Sequence, residues 1–253
     1  MTDFDPAGSP ITLTPIAHIQ SCYPERFGIP RQAGLVPSAQ AEILFEITEA
    51  NKLALRGIEG FSHIWVIFLF HKHHYATVKP LVQPPRLGGR KTMGVYATRS
   101  PNRPNPIGMS AVKLEGVEQK KGKLRLQIRG GDFLDGTPVL DIKPYIPYAD
   151  AIASAESTWV TPHEASLTVE WSEGAIATLE HHFHTIESDI KPIQQLISET
   201  ISQDPRPAHE QGKDGRKGQE WNMQVREFSV FWSVAADVAL ITRLEPHQPI
   251  DSP

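Results

Sequence analysis

Cysteine is almost missing from this 253-residue chain; Cys22 stands alone. An internal disulfide is therefore excluded, and so is a zinc site built on cysteine thiolates. Long apolar runs are missing too. The longest, residues 64–70, falls far short of the roughly 20 residues a helix needs to cross a bilayer, so no membrane partner is expected. Residues 1–10 have no basic stretch ahead of an apolar one, so no secretory signal is expected and a cytoplasmic location is the simplest reading. There is no phosphate loop and no G-x-G-x-x-G after a strand. Ser100 lacks the G-x-S-x-G elbow. Nucleotide hydrolysis, Rossmann-type cofactor binding and serine-nucleophile catalysis are thereby set aside.

Negative charge is absent from one long window. Residues 60–114 contain no Asp or Glu, although the whole chain has 29 of them and a formal charge of −4. The same window carries Lys72, Lys79, Arg86, Arg90, Lys91, Arg99, Arg103 and Lys113. Bulk charge does not advertise a polyanion partner, but this local field does. It also argues against metal. His71, His73 and His74 have no local carboxylate to join them, and His181, His182 and His184 do not share one helical face. No metal is expected. His71–His73 follow an apolar strand directly and are better placed to line a small-molecule pocket.

Proline is plentiful, with 22 residues, and it concentrates where the cations are. The segment 99–108 (RSPNRPNPIG) holds Arg99, Arg103, Asn102 and Asn105 on a backbone stiffened by Pro101, Pro104 and Pro106. Each proline fixes its own φ and pushes the preceding residue toward extended geometry. The result is an ordered polar loop that holds two guanidinium forks in place, and such forks suit phosphate and carboxylate.

The first part of the chain reads as strands: 12–20, 41–47, 62–70, 93–98, 110–117, 124–129 and 138–142. The run 62–70 reads as a strand buried on both faces, and 118–122 as a hairpin turn. Seven short strands with long polar loops predict a closed or nearly closed sheet. Two further loops stand out. Residues 30–37 (PRQAGLVP) are stiffened by prolines, and Gly34 allows close approach to a ligand. Residues 135–137 form an Asp-Gly-Thr turn with free backbone amides. An acidic turn beside an arginine loop would supply both signs that a zwitterionic cofactor needs.

Composition shifts near residue 150. Residues 149–157 are small and read as a linker. Beyond them come a strand at 166–171, a helix at 173–186, a helix at 190–201 with Pro192 in its first turn, a strand at 225–234 and another at 237–244. The polar loop 203–219 carries Lys213, Arg216 and Lys217, candidates for phosphate contact. The expected organisation is a domain at 11–150 and a small α+β domain at 158–246.

At this point the residues resemble a known family. PRQAGLVPSA at 30–39, LRGIEGFSHIWVIFLFH at 55–71, PPRLGG at 84–89, MGVYATRSPNRPNPIGMS at 93–110, DGTPVLDIKPYIP at 135–147 and QDPRPA at 203–208 resemble the TrmO (formerly YaeB) family over nearly the whole chain. The resemblance implies an S-adenosylmethionine-dependent tRNA methyltransferase acting on N6 of N6-threonylcarbamoyladenosine, next to the anticodon. It implies a mainly β fold: a small, non-Rossmann, cofactor-binding β-barrel with a small α+β C-terminal domain, working as a homodimer. By the same resemblance the cofactor would contact Gln32, Ala33, Gly34, Lys72, His73, Arg99, Asp135, Gly136, Thr137 and Pro138. Arg99, Arg103 and Asn105 would form the catalytic set, with Arg103 also meeting the tRNA anticodon loop. Two alternatives stay open on the residues alone: a non-catalytic RNA-binding module, and a methyltransferase of the same cofactor chemistry acting on a small molecule.

Overall fold

The computed structural model describes residues 11–72, 79–85, 91–160, 165–184, 186–213, 215 and 219–246. Twelve strands and four α-helices are assigned among them, a mainly β protein with little helix. The strands of the first unit are β1 (Ala17–Ser21), β2 (Gln40–Glu46), β3 (His63–Leu69), β4 (Leu81–Val82), β5 (Met93–Gly94), β6 (Ile107–Lys120), β7 (Lys123–Arg129) and β8 (Pro138–Pro144). Short helices α1 (Glu49–Ala54) and α2 (Pro147–Asp150) lie between or after them.

Six of these strands close on themselves in the order β1-β2-β7-β6-β3-β8, with β8 returning to β1. Every pairing in the ring is antiparallel, unlike the parallel sheet of a doubly wound fold. The alternation of β7 dictates its orientation: Leu124, Leu126 and Ile128 are buried while Lys123, Arg125, Gln127 and Arg129 point outward. In β3, Ile64, Val66 and Phe68 face the same core, whereas Trp65, Ile67 and Leu69 are only half-buried. The expectation of a strand buried on both faces is therefore corrected, because a closed sheet has one interior face. β6 is longer than expected because one bent strand serves two neighbours: residues 107–113 pair with β3, residues 113–120 with β7, and the register shifts between Leu114 and Gly116.

The expected seventh strand at 93–98 is not in the ring. Only Met93–Gly94 are extended, and they pair with Leu81–Val82 in a separate ribbon. Val95–Ala97 then form a 3-10 turn. The turn bonds of Val95–Ala97 and the prolines that follow from Pro101 leave no run of free amides for a ladder.

The second unit comprises β9 (Thr168–Trp171), α3 (Glu173–His182), α4 (Glu187–Ser202), β10 (Trp221–Val225), β11 (Phe228–Ala235) and β12 (Val238–Pro246). The sheet order is β10-β11-β12-β9. The Ser172 hydroxyl accepts the Ala175 N–H and starts α3, which ends four residues before the expected 186. Helix α4 starts at Glu187 rather than 190, so Pro192 lies inside it. A mid-helix proline costs roughly 3 kcal/mol. The stripe Ile190, Ile193, Leu196, Ile197 and Ile201 is buried, and at about 1.5–3 kcal/mol per side chain it offsets that cost. The expected strand 225–234 is split by a tight turn at Arg226, whose φ is 50°.

The two units share a core. Cys22, Tyr23, Val36 and Ala39, from the loop joining β1 to β2, pack with Leu196, Met223, Val225 and Trp232 of the second unit. The buried Tyr23 hydroxyl lies 3.1 Å from Thr200 Oγ1, and the Gln224 N–H donates to Glu25 at 2.8 Å. The 22–39 loop thus belongs by sequence to the barrel and by packing to the second unit.

Candidate functional site

Three loops emerge at one end of the ring, and of the expected site residues only Gln32 and Arg99, from the first two, line a common cleft. The first is 30–37. Gly34 has φ of 84° and donates its N–H to the Gly130 carbonyl at 2.8 Å, while the Gly130 N–H donates to Ala39 at 2.8 Å. Gly130 also has positive φ, and a Cβ on it would lie 3.7 Å from the Gly34 backbone. Two glycines therefore let the loop lie flat against the end of β7.

The second is the arginine loop. The Arg99 guanidinium donates to Gln32 Oε1 at 2.5 Å, joining two segments 67 residues apart. Arg103 is half-buried and donates from Nη2 to the Thr98 carbonyl at 3.3 Å, and Asn105 is exposed. Gly108 anchors the loop's exit, because a Cβ there would stand 2.2 Å from the Phe68 ring. That ring is itself wedged edge-on against Phe70 and Phe133, with centroids 5.1 Å away in each case.

The third is the turn at 135–138. Asp135 Oδ1 accepts the Ser21 N–H at 2.8 Å, its own N–H reaches the Tyr23 carbonyl, and the Gly136 N–H reaches Ile19. Thr137 Oγ1 donates to Leu134 at 2.6 Å. The amides of Asp135, Gly136 and Thr137 are all paired, which corrects the free amides expected of this turn: it is riveted to β1, and one Asp135 oxygen is already engaged. His71 stands beside it, with Nε2 4.0 Å from where a Gly136 Cβ would be. Burial, then the neighbouring Lys72 and His18 charges, lower the His71 pKa below its ordinary value, with Asp135 opposing. The shift favours the neutral imidazole. Lys72 is exposed next to it, and His73 lies outside the described residues.

Asp132 was not among the expected site residues. It follows Gly131, just past the end of β7, and is half-buried. The Ser110 hydroxyl donates to its Oδ1 at 2.6 Å. Burial pushes its carboxyl above the usual range, while hydrogen bonds from Ser110 and from backbone, including that of Ala33, and the Arg99 charge pull it down. It thus joins β6 and the 30–37 loop at one carboxylate, within the field of Arg99. The signal available in the sequence was an acidic residue directly after an alternating, buried strand.

Between the first two loops and the β4–β5 ribbon opens a cleft of about 1140 Å³. Gln32 and Arg99 line it, with Arg31 and Lys79, and no carboxylate does among its lining residues. Cys22 is not a rival nucleophile, since burial pushes its thiol up to about 12. Among the described residues no group of three or more His, Cys, Asp or Glu could hold a metal.

Lys213 is elsewhere. It lies in the second unit, where its carbonyl accepts from Arg206 at 3.1 Å, and it does not line the cleft. Arg216 and Lys217 fall outside the described residues. The part of that loop that is described is tightly organised: Arg206, only 1% exposed, forks onto both Asp204 oxygens at 2.7 and 2.8 Å.

The fold and site define a protein whose antiparallel ring carries a cationic, loop-built cleft, a surface suited to an anionic or nucleotide ligand. Comparison with known proteins narrows this. Residues 18–151 match the tRNA-methyltransferase O N-terminal domain, and residues 164–247 match the TrmO C-terminal domain. The chain is 39% identical over 231 residues to the tRNA (adenine(37)-N6)-methyltransferase of Escherichia coli, covering 91% of this chain and 96% of that protein. It is 38% identical over 173 residues to a probable S-adenosyl-L-methionine-binding protein of Pyrococcus abyssi, covering 68% and 89%. A crystal structure of TrmO from Pseudomonas aeruginosa superposes with a TM-score of 0.74 at 34% identity, covering 96% of this chain and all of that one. The chain belongs to the TrmO family.

Proposed function

We propose that this chain is an S-adenosylmethionine-dependent methyltransferase acting on N6 of adenosine 37 of tRNA, with N6-threonylcarbamoyladenosine as the acceptor. The observation that carries this reading is the Gln32–Arg99 contact, which holds a guanidinium in a cleft lined without carboxylates. Family membership supplies the reaction class.

The residues present fit the cofactor. The cofactor has an ammonium, a carboxylate and an adenosine. Arg99 offers a fork to a carboxylate, and Asp135 keeps one oxygen beyond its bond to Ser21 for an ammonium or hydroxyl. At Gly34 a Cβ would meet open space and at Gly136 nothing nearer than His71, so both turns leave room at their backbones. Gln32, Ala33, Gly34, Lys72, His73 and residues 135–138 would hold it, on a barrel rather than a Rossmann sheet. When bound, it supplies an electrophilic methyl on a sulfonium.

The chain's own contribution is placement and charge. The prolines of 99–108 and the Phe68–Gly108 contact hold Arg99 and Arg103 at fixed positions, which lowers the entropy of orientation. The acceptor nitrogen carries a carbamoyl group and reacts poorly until its proton passes to solvent. Cations positioned around it stabilise the charge that develops. Arg99 and Arg103 supply that charge, and Arg103 holds the threonyl carboxylate or a phosphate; Asn105, exposed in the same loop, orients the acceptor. The anticodon loop is the partner surface, with Arg103 and with Lys213, Arg216 and Lys217 meeting phosphates. A homodimer in the cytoplasm is the setting the family resemblance supports. No described helix is long and apolar enough to cross a membrane.

The test is methyl transfer to tRNA carrying or lacking the threonylcarbamoyl group, read by nucleoside mass spectrometry. Product is expected only with the modified tRNA. Arg103→Ala should abolish it while circular dichroism stays unchanged; full activity in that variant overturns the role of Arg103, and equal methylation of both tRNAs overturns the acceptor.

A further inference from the structure

The cleft has a wall that the arginine loop does not supply. Ser157, Trp159 and Val160 line it, and they come from the connector at 152–163, which lies between the two family-matched spans of 18–151 and 164–247. The Val160 N–H donates to Ser157 Oγ at 3.0 Å, folding the connector locally. Trp159 is half-buried, and Tyr96, on the 3-10 turn after the ribbon, is 77% exposed and lines the same cleft. A ring left that exposed, in a cleft also lined by Arg31, Lys79 and Arg99, presents the kind of face on which a base stacks. The cleft, at about 1140 Å³, also exceeds the roughly 300–1,000 Å³ that one small ligand fills.

We propose that Tyr96 and Trp159 are the stacking surfaces for an unstacked base of the RNA substrate, the connector thereby serving as part of the RNA site. This rests on the tRNA reading above. Single-stranded RNA is recognised by splaying bases onto aromatic faces while cations follow the backbone, and the cleft offers both, with no carboxylate among its described lining residues.

The experiment measures two affinities in parallel. A fluorescently labelled anticodon stem-loop is titrated against the full chain by anisotropy, and S-adenosylmethionine is titrated by calorimetry. Tyr96→Ala and Trp159→Ala should each weaken RNA binding about 5- to 100-fold and leave cofactor affinity within twofold. Tyr96→Phe and Trp159→Phe should retain most of the RNA affinity. The slope of log affinity against log salt should stay unchanged in all four, because no charge is removed, whereas Lys79→Ala should reduce it. Trp159→Leu keeps apolar contact without the ring, so an equal loss there, with an unchanged melting temperature, separates stacking from connector packing.

RNA affinity within twofold of the parent in both alanine variants overturns the proposal. So does a fall in cofactor affinity alone, which assigns the rings to the cofactor's adenine. A change in sedimentation mass without RNA also overturns it and assigns the rings to a second copy of the chain. Failure of the parent itself to bind RNA overturns the tRNA reading together with this one, so the two failures are distinguishable.

Discussion

Glu199 of α4 accepts two hydrogen bonds from Ser38 through a single oxygen, at 2.9 Å from the backbone N–H and 2.6 Å from the hydroxyl. Ser38 is buried in the loop that carries Gln32, Ala33 and Gly34, and Glu199 is 161 residues away. The second unit therefore buttresses the candidate cofactor loop directly. Gln195 Nε2 donates to the other Glu199 oxygen at 2.7 Å and fixes the carboxylate.

Glu199→Ala leaves two buried Ser38 donors without a partner, a penalty of about 1–3 kcal/mol each at most. The expected outcome is a melting temperature lower by several degrees together with weaker cofactor binding. Calorimetric melts and cofactor titration check it; a lower melting temperature with cofactor affinity untouched would separate the buttress from the site.

Gly108→Ala should damage the arginine loop through a contact made by no arginine. The added carbon would stand 2.2 Å from Phe68, and overpacking of this kind costs about 1–3 kcal/mol. Stability and methyl transfer should both fall, and Phe68→Leu in the same chain should restore part of each. Denaturant melts of the single and double variants decide this, with no restoration as the adverse result.

Asp132 makes stability depend on pH in a stated direction. Its carboxyl is raised above the ordinary value near 3.9, so the folded state holds its proton more tightly than the unfolded state does. Its effect on stability is full below the unfolded value and is lost as pH rises through the folded one. Asp132→Asn removes the titrating group. The melting temperature of the variant relative to the parent should therefore rise from pH 4 to pH 8. A flat difference across that range counts against the shift.

The Arg206–Asp204 pair is buried, with side chains 1% and 4% exposed. Arg206→Ala strands a buried carboxylate, and such losses run to about 3–5 kcal/mol. Replacing both, as Asp204→Ala with Arg206→Leu, should cost less than Arg206→Ala alone. Equal losses would mean that packing, not charge, is what the pair provides. If the 204–213 segment only shapes the second unit, cofactor affinity should not move in either variant.

Much of the strand pattern was legible because one buried face imposes alternation: Leu124, Leu126 and Ile128 announce β7, and Ile64, Val66 and Phe68 announce β3. Residues 93–98 misled, since β-branched and aromatic residues can also cap a ribbon and enter a 3-10 turn. Pro192 misled for a different reason. Proline marks a helix start locally, but a stripe of five buried aliphatics, one before it and four after it, holds the helix through it. His71 was expected to line a pocket; it stands beside the 135–138 turn instead and is not among the residues that line the cleft.

What the amino-acid order determined by itself was local: a proline-stiffened loop that must present Arg99 and Arg103, an Asp-Gly-Thr turn, a glycine loop, and a window free of carboxylates. Those follow from backbone restriction and charge, which act over a few residues. What only the tertiary structure decided was which of them meet. Ring closure brings Gln32 to Arg99 and Ser110 to Asp132, the second unit clamps Ser38, and the connector carries Trp159 to the cleft. None of these partners is near in sequence, and the free energy that selects them is burial of shared apolar surface, which has no short-range signature.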